Sequence, residues 1–513
     1  MSLAARLARA QSSRAKQPEP KTILFGELLS DLPPFGNPGA TMIRNVIPGA
    51  GGYLPLYALT TVSDALNARV RGAYASMDVD GVVRTFAGTA SKLYQIAVAT
   101  ATDVSAAATT YDLGDAVNWS FVQYGNTVIA TYFSTGAIEM QRITLGGANF
   151  ASFVTSSRKP RGKYAAKIGD FLMLAFTYDA TDGSQPQRVW WSAIGDPTDF
   201  TPAAATQCDY QDLDPDDGWI TGIYGGKEYA LIFQERAITR MTYTGSDVIF
   251  QRDKMVTNNG CACPGSIAGW GRSVFYLGSD GFYMFDGTNP IPIGAGKIDV
   301  TFTTEFDTAY TDRVSSAIDP VKKVYVVGYP TLSADGTPDK IMAYYAPKGK
   351  WSDAEVAHEW LFRDLSKGLT LDDLDTINSS LDLLTPSLDS RVWTGGAYLF
   401  AAFTTAHRLA DFSGSALTAR LETGEEQPYS NRKAYVGEIR PLVDGATATT
   451  TIQLGTRELH TAAISYGTAA SLDADGKADF DVESRYLRAR VNISGGFDHA
   501  QGIQAMVTPG GAW

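Results

Sequence analysis

The chain has 513 residues, 44% hydrophobic and only 19% charged, with 43 basic against 55 acidic side chains and a formal charge of −12. Such a length permits a large buried core, and the hydrophobic share excludes disorder over most of it. The acidity argues against a broad DNA-gripping surface, which works by replacing counterions with Lys and Arg.

Residues 1–20 form a basic N-terminal arm, with Arg6, Arg9, Arg14 and Lys16 against Glu19. These four cations are candidates for docking onto a subunit or adaptor surface, the alternative being a solvated tail. Residues 21–56 are rich in Pro and Gly (Asp31 to Gly39, Asn45 to Gly49, Gly51 to Pro55). That punctuation forbids a long helix and predicts an extended docking segment laid over a neighbouring surface.

From residue 57 to 410 short apolar or alternating runs recur, each bounded by Gly, Asn or Asp. Ser120 to Phe133 and Tyr164 to Phe176 each read as a strand, a two-residue turn and a second strand. The same grammar returns around Gly225-Gly226, Asp280-Gly281 and Asp319-Pro320. Hairpins spaced by about 40 to 55 residues match the length of a four-stranded blade, so an all-β fold built on a β-propeller is expected. A pair of β-sandwiches is the structural alternative.

Within that span, residues 353–390 carry nine acids against Arg363 and Lys367 and read as an acidic insertion, partly helical by the spacing of Leu371, Leu374, Ile377, Leu381 and Leu384. Residues 411–513 hold seven short strand patterns, predicting a small C-terminal β-sandwich domain. A second acidic stretch contains Asp209, Asp212, Asp214, Asp216 and Asp217.

No catalytic motif with matched spacing is present. There is no nucleophile elbow, P-loop or dinucleotide fingerprint, and His358-Glu359 lacks the second histidine of a zinc-protease helix. The turns at Asp212 to Gly218 and Asp473 to Gly476 miss the Gly and Glu positions of a calcium loop and read as polar turns. Cys208, Cys261 and Cys263 are too few and too oddly spaced for a disulfide framework. No run of 18 apolar residues and no signal-peptide core occur, so neither export nor a membrane span is expected. No cofactor, metal or enzymatic activity is expected.

Several stretches taken in order resemble the tail nozzle, or packaged-DNA stabilisation, proteins of short-tailed bacteriophages. They are Asn37 to Gly39 with Asn45 to Pro48, Tyr210 to Ile220, Ile232 to Ile238, Asn259 to Gly265, Asp280 to Gly287, Ser387 to Trp393 and Asp498 to Gly502. The resemblance implies a structural virion protein made in the bacterial host cytoplasm, a homo-hexameric ring below the head-to-tail adaptor. It further implies docking of tail fibres or spikes and of a plug or needle, and a channel through which packaged double-stranded DNA passes without specific binding. In such a ring Asp212, Asp214, Asp216 and Asp217 are candidate channel-lining residues, because a wall that repels phosphates lets the duplex slide. The rival readings are a phage-borne β-propeller that binds or degrades glycan, and a cytosolic scaffolding propeller.

Overall fold

Two hairpins close as their sequence demands. In a computed structural model describing residues 19–97, 99–245, 248–367 and 396–512, Gly125 and Gly169 take φ of 57° and 54° in two-residue turns. The first joins Ser120–Tyr124 to Thr127–Thr131 and the second joins Arg161–Ile168 to Phe171–Asp179. Left-handed backbone of this kind suits glycine and matches the twist of the paired strands. The first hairpin, Ala73–Met77 with Val83–Gly88, instead uses the longer loop 78–82, where Asp78 Oδ1 accepts from the Asp80 and Val82 amides at 3.1 and 2.8 Å.

These hairpins assemble into antiparallel sheets of four strands in chain order: blade 1 (73–103), blade 2 (120–152), blade 3 (161–212), blade 4 (220–257) and blade 5 (268–292). Blade 6 (315–355) is a quartet within a larger sheet. Blade 7 takes three strands from 360–416 and its outermost strand from Tyr57–Ala65, which pairs with Arg408–Ala416. The first strand of the propeller thus closes the last blade, and the innermost strand of blade 7 lies against those of blades 1 and 6. The described residues therefore form a β-propeller of seven blades.

Second strands are largely buried on both faces, Val324–Pro330 throughout, although the start of Tyr398–Phe403 is exposed. Each blade covers the next, so these strands read as continuous apolar runs rather than alternating ones. Phe171, Met173 and Val189 of blade 3 pack with Ile232 and Met241 of blade 4, each large side chain contributing about 1.5–3 kcal/mol of burial. Cys208, Cys261 and Cys263 are buried free thiols inside this packing.

Three boundaries differ from the sequence expectation. The segment 21–56, expected to lie over a neighbouring surface, folds onto the C-terminal part of its own chain. Glu19–Leu24 pairs with the C-terminal strand from Val507 back to Gly502. Ala40–Arg44 pairs with Ala419–Thr423 on one side and meets blade 6 in parallel on the other, Arg44 opposite Asp353. Val46–Pro48 and Tyr53–Pro55 form a hairpin joined to the second C-terminal sheet. Phe25, Ile43, Val46 and Tyr53 supply the reason: all are core residues, so the segment buries its own apolar face despite its prolines.

The acidic insertion is also shorter than 353–390. Lys350–Glu355 is the outer strand of blade 6 and Trp360–Leu365 the inner strand of blade 7, with Asp353, Glu359 and Asp364 buried. The helical leucine spacing and Asp372 to Asp389 lie outside the described residues, as do Arg6, Arg9, Arg14 and Lys16.

The C-terminal boundary falls after Ala416 rather than at 411, because Arg408–Ala416 belongs to blade 7. All seven C-terminal strand patterns are strands, from Ala419–Thr423 to His499–Ala512. They build two facing sheets with the N-terminal strands. One of these sheets continues through Ala40–Arg44 into blade 6 as a ten-stranded sheet, and one core runs through both parts, joining Tyr325, Trp351 and Phe275 to Val491 and Ile503.

Candidate functional site

Every innermost strand of a propeller runs the same way, so the residues just ahead of these strands, and the hairpins between second and third strands, share one face. On this entry face lie Arg69 and Arg71 ahead of blade 1, Asn118 ahead of blade 2, Asp212 to Trp219 ahead of blade 4, Asp312 and Arg313 ahead of blade 6, and Glu359 ahead of blade 7. The four candidate channel aspartates are therefore brought together on one face. Residues 368–395, between Trp360–Leu365 and Tyr398–Phe403 in the chain, lie outside the described residues.

The aspartates are not a bare negative patch. Asp212 ends Asp209–Asp212 and takes a forked bond from Arg188, at 2.7 Å from Nε and 3.0 Å from Nη2. Arg188 also meets Asp179 at 3.3 Å and lies 4.2 Å from the Tyr210 ring centre. Its hydrogen bonds to Asp212 and Asp182 hold the guanidinium firmly charged. Asp214 caps the short turn Pro215–Asp217, accepting from the Asp216 amide at 3.1 Å. Lys254 bridges Asp214 at 3.3 Å and Asp217 at 2.6 Å, and that backbone bond with the Lys254 contact holds the Asp214 carboxyl below its usual range. The Asp216 carbonyl accepts from Arg236 at 2.7 Å, and its carboxylate is exposed. A sequence window of one sign is thus balanced in space by cations from neighbouring strands.

The two turns read against calcium behave as turns. Asp473 Oδ1 accepts from the Asp475 and Lys477 amides at 2.9 Å each. Among the described residues no group of three or more His, Cys, Asp or Glu gathers as a metal site, and no helix is long and apolar enough to cross a membrane, which says nothing of a β-barrel.

Groups that spacing did not reveal complete the entry face. His407, at φ 60° in the hairpin of blade 7, meets Glu359 through Nδ1 at 2.5 Å. The other Glu359 oxygen accepts from the Val70 amide at 3.0 Å, so the pair ties blade 7 to the strand entering blade 1. Burial pushes the Glu359 carboxyl up, and the Val70 amide and His407 oppose that. Trp219 is 56% exposed and lies edge-on to Phe176, which itself meets Phe133 at 5.0 Å. Phe176 holds φ 54° at the bulge where register shifts between Ala175 and Thr177, and this turns a residue of a buried strand towards Trp219 and the surface. Position before an innermost strand is the signal that could have found Arg69, Arg313 and Glu359.

A cavity of about 830 Å³ opens between blades 6 and 7 and the C-terminal sheets, lined by Leu56, Val326, Ile341, Leu361 and Phe412. Asp411 and Lys322 stand among its polar groups.

The stretches that carry the family resemblance mostly support packing. Asn37 holds its own turn, accepting from the Gly39 amide and donating to the Leu29 carbonyl, both at 2.9 Å. Cys261 reaches the Cys263 carbonyl at 3.2 Å and Ser266 Oγ donates to the same carbonyl at 2.6 Å, fixing the crossing into blade 5.

No family model matches the chain, and a search of curated proteins found no match. Among solved structures the chain is similar to the WD40 domain of Neurospora crassa Pan2, with 7% identity over 71% of this chain and 96% of that one and a TM-score of 0.36. The strand order itself defines the class: an all-β protein whose seven blades close on their own first strand, welded to a two-sheet C-terminal unit.

Proposed function

We propose that the protein is a structural virion component of a phage tail, a subunit of a homo-hexameric nozzle ring below the head-to-tail adaptor that retains and then conducts the packaged DNA. The observation that carries this reading is the ten-stranded sheet running from blade 6 into the C-terminal unit. A continuous sheet with one core resists hinging between its parts, as a ring under internal DNA pressure requires. The ordered sequence resemblance supports it independently.

In this reading the protein is no enzyme and binds no cofactor, and fibres or spikes and a plug or needle dock on it. The basic arm with Arg6, Arg9, Arg14 and Lys16 contacts the adaptor or a neighbour. Asp212, Asp214, Asp216 and Asp217 face the lumen; because Arg188 and Lys254 offset three of them, repulsion of DNA there rests mainly on Asp216. Gold-labelled antibody against the chain tests the location: label at the tail of purified particles is expected, and unlabelled particles from a lysate rich in the free protein would overturn it.

A second reading, a phage-borne propeller that binds or degrades glycan, is favoured by the exposed Trp219 beside Phe176, since a bare aromatic face stacks on sugars. Release of soluble sugar from host polysaccharide, or retention of the protein on it, would select this reading.

A further inference from the structure

Three cations with few partners ring the propeller axis on the entry face. Arg69 precedes the inner strand Ala73–Met77, Lys163 lies early in Arg161–Ile168, and Arg313 precedes Ser315–Asp319, so they come from blades 1, 3 and 6. The turn Thr308–Arg313 is drawn over the axis by a bond from Asn118 Nδ2 to the Asp312 carbonyl at 2.6 Å. That bond links blades 2 and 6, which are not neighbours in the ring.

The cations are incompletely satisfied. Arg69 donates Nη2 to the Asp115 carbonyl at 3.0 Å, while its Nη1 is sealed from solvent without a partner. Arg313 donates Nη1 to the Gly336 carbonyl at 2.9 Å and lies 4.4 Å from the Tyr310 ring centre, while its Nε is sealed likewise. Among the described residues Lys163 Nζ meets only the ring faces of Tyr164 at 5.5 Å and Phe176 at 5.2 Å. Asn118 Oδ1 is also enclosed and, among the described residues, unpartnered. Buried polar atoms in native proteins nearly always have a partner, and several orphans in one place mark a missing one.

The charges facing this group do not balance it. Asp115 is held by Arg71 at 2.8 Å, and among the described residues Asp312 and Glu359 are the carboxylates that act on Arg69, Asp312 acting on Lys163 as well. Arg69 is depressed by burial and then by Arg313 and Arg71, and Lys163 by burial. On a chain of net charge −12 this is a local excess of positive charge.

We propose that the mouth of the propeller axis on the entry face is an oxyanion site, taking a carboxylate or phosphate group of a small ligand through Arg69, Lys163 and Arg313. The two guanidinium groups offer planar donors matched to such oxygens, and Lys163 adds a point charge. Phe133, Phe176 and Trp219 beside Lys163 form an apolar wall for the rest of the ligand. The assignment does not depend on the virion reading.

Calorimetry and thermal unfolding of the full chain, with inorganic phosphate or citrate against chloride at equal ionic strength, test it. Saturable one-site binding is expected, weakened by about tenfold or more in Arg69→Gln and in Lys163→Met and unchanged in Lys227→Gln on the opposite face. Lys163→Met removes a partly exposed side chain without an ion pair, so it folds even if Arg69→Gln does not. Tighter citrate binding identifies a carboxylate ligand, and tighter phosphate binding a phosphate one. Stability equal in all three salts, or equal loss in Lys227→Gln, would overturn the site.

Discussion

The imidazole of His358 fills the space that a side chain on residue 328 would need: an ideal β-carbon on Gly328 falls well inside contact distance of His358 Nε2. His358 is fully buried, its Nδ1 2.8 Å from the Val356 carbonyl, which fixes the proton on Nδ1 and leaves Nε2 bare. Gly328→Ala is expected to cost about 1–3 kcal/mol, because a packed core must shift to admit the methyl. Urea unfolding midpoints measure this, and an unchanged midpoint would show that the ring moves freely.

The same histidine makes stability depend on pH. Burial pushes its pKa from 6.5 down to about 4, so between these values the unfolded chain holds a proton that the folded chain refuses. This contribution is complete above pH 6.5 and is lost as pH falls towards 4, by about 3 kcal/mol over the window. His358→Gln removes it, so the midpoint difference between pH 7 and pH 4.5 is expected to shrink against wild type. An identical pH dependence in the two proteins would contradict the assignment.

Asp364 acts in the opposite sense. Burial raises its pKa from 3.8 to about 6 against hydrogen bonds from the Leu365 amide and Thr85 Oγ1, both at 2.9 Å. The folded chain therefore takes up the proton first, and stability present below pH 3.8 is lost as pH rises through 6. Asp364→Asn is expected to stabilise the protein by up to about 3 kcal/mol at pH 8, with the gain fading towards pH 4. Thermal unfolding at both pH values checks it, and a loss of stability at pH 8 would refute it.

Arg44 joins the propeller to the C-terminal unit. It donates Nε to Asp353 at 2.9 Å and also meets Glu355, both on the outer strand of blade 6. Arg44→Met strands the buried Asp353 carboxylate and is expected to cost about 3 kcal/mol. Hydrogen exchange is expected to rise along Ala40–Arg44 and Lys350–Glu355 before other strands. Uniform exchange across the molecule would place the weld elsewhere.

Local features were legible in the sequence and non-local ones were not. Gly125-Asn126 and Gly169-Asp170 announce their hairpins because a two-residue turn is decided by its own residues. The C-terminal strands likewise carry their alternation. No local signal shows that Glu19–Leu24 pairs with a strand near residue 505, so residues 21–56 read as a docking segment for another surface although Phe25 and Tyr53 are core residues of the same chain. The acidic stretch misleads for the same reason, since Arg188 and Lys254 lie on other strands. The mouth of the axis gathers Arg69, Lys163 and Arg313 from three blades, and only the closed ring brings them together.

In the proposed role this propeller is a ring subunit of a phage tail. Electron microscopy of the purified chain mixed with its adaptor tests it most directly. Six-fold rings seated on the adaptor, with an open channel along the ring axis, are the expected result. Isolated propellers that ignore the adaptor at concentrations well above those of assembly would contradict it.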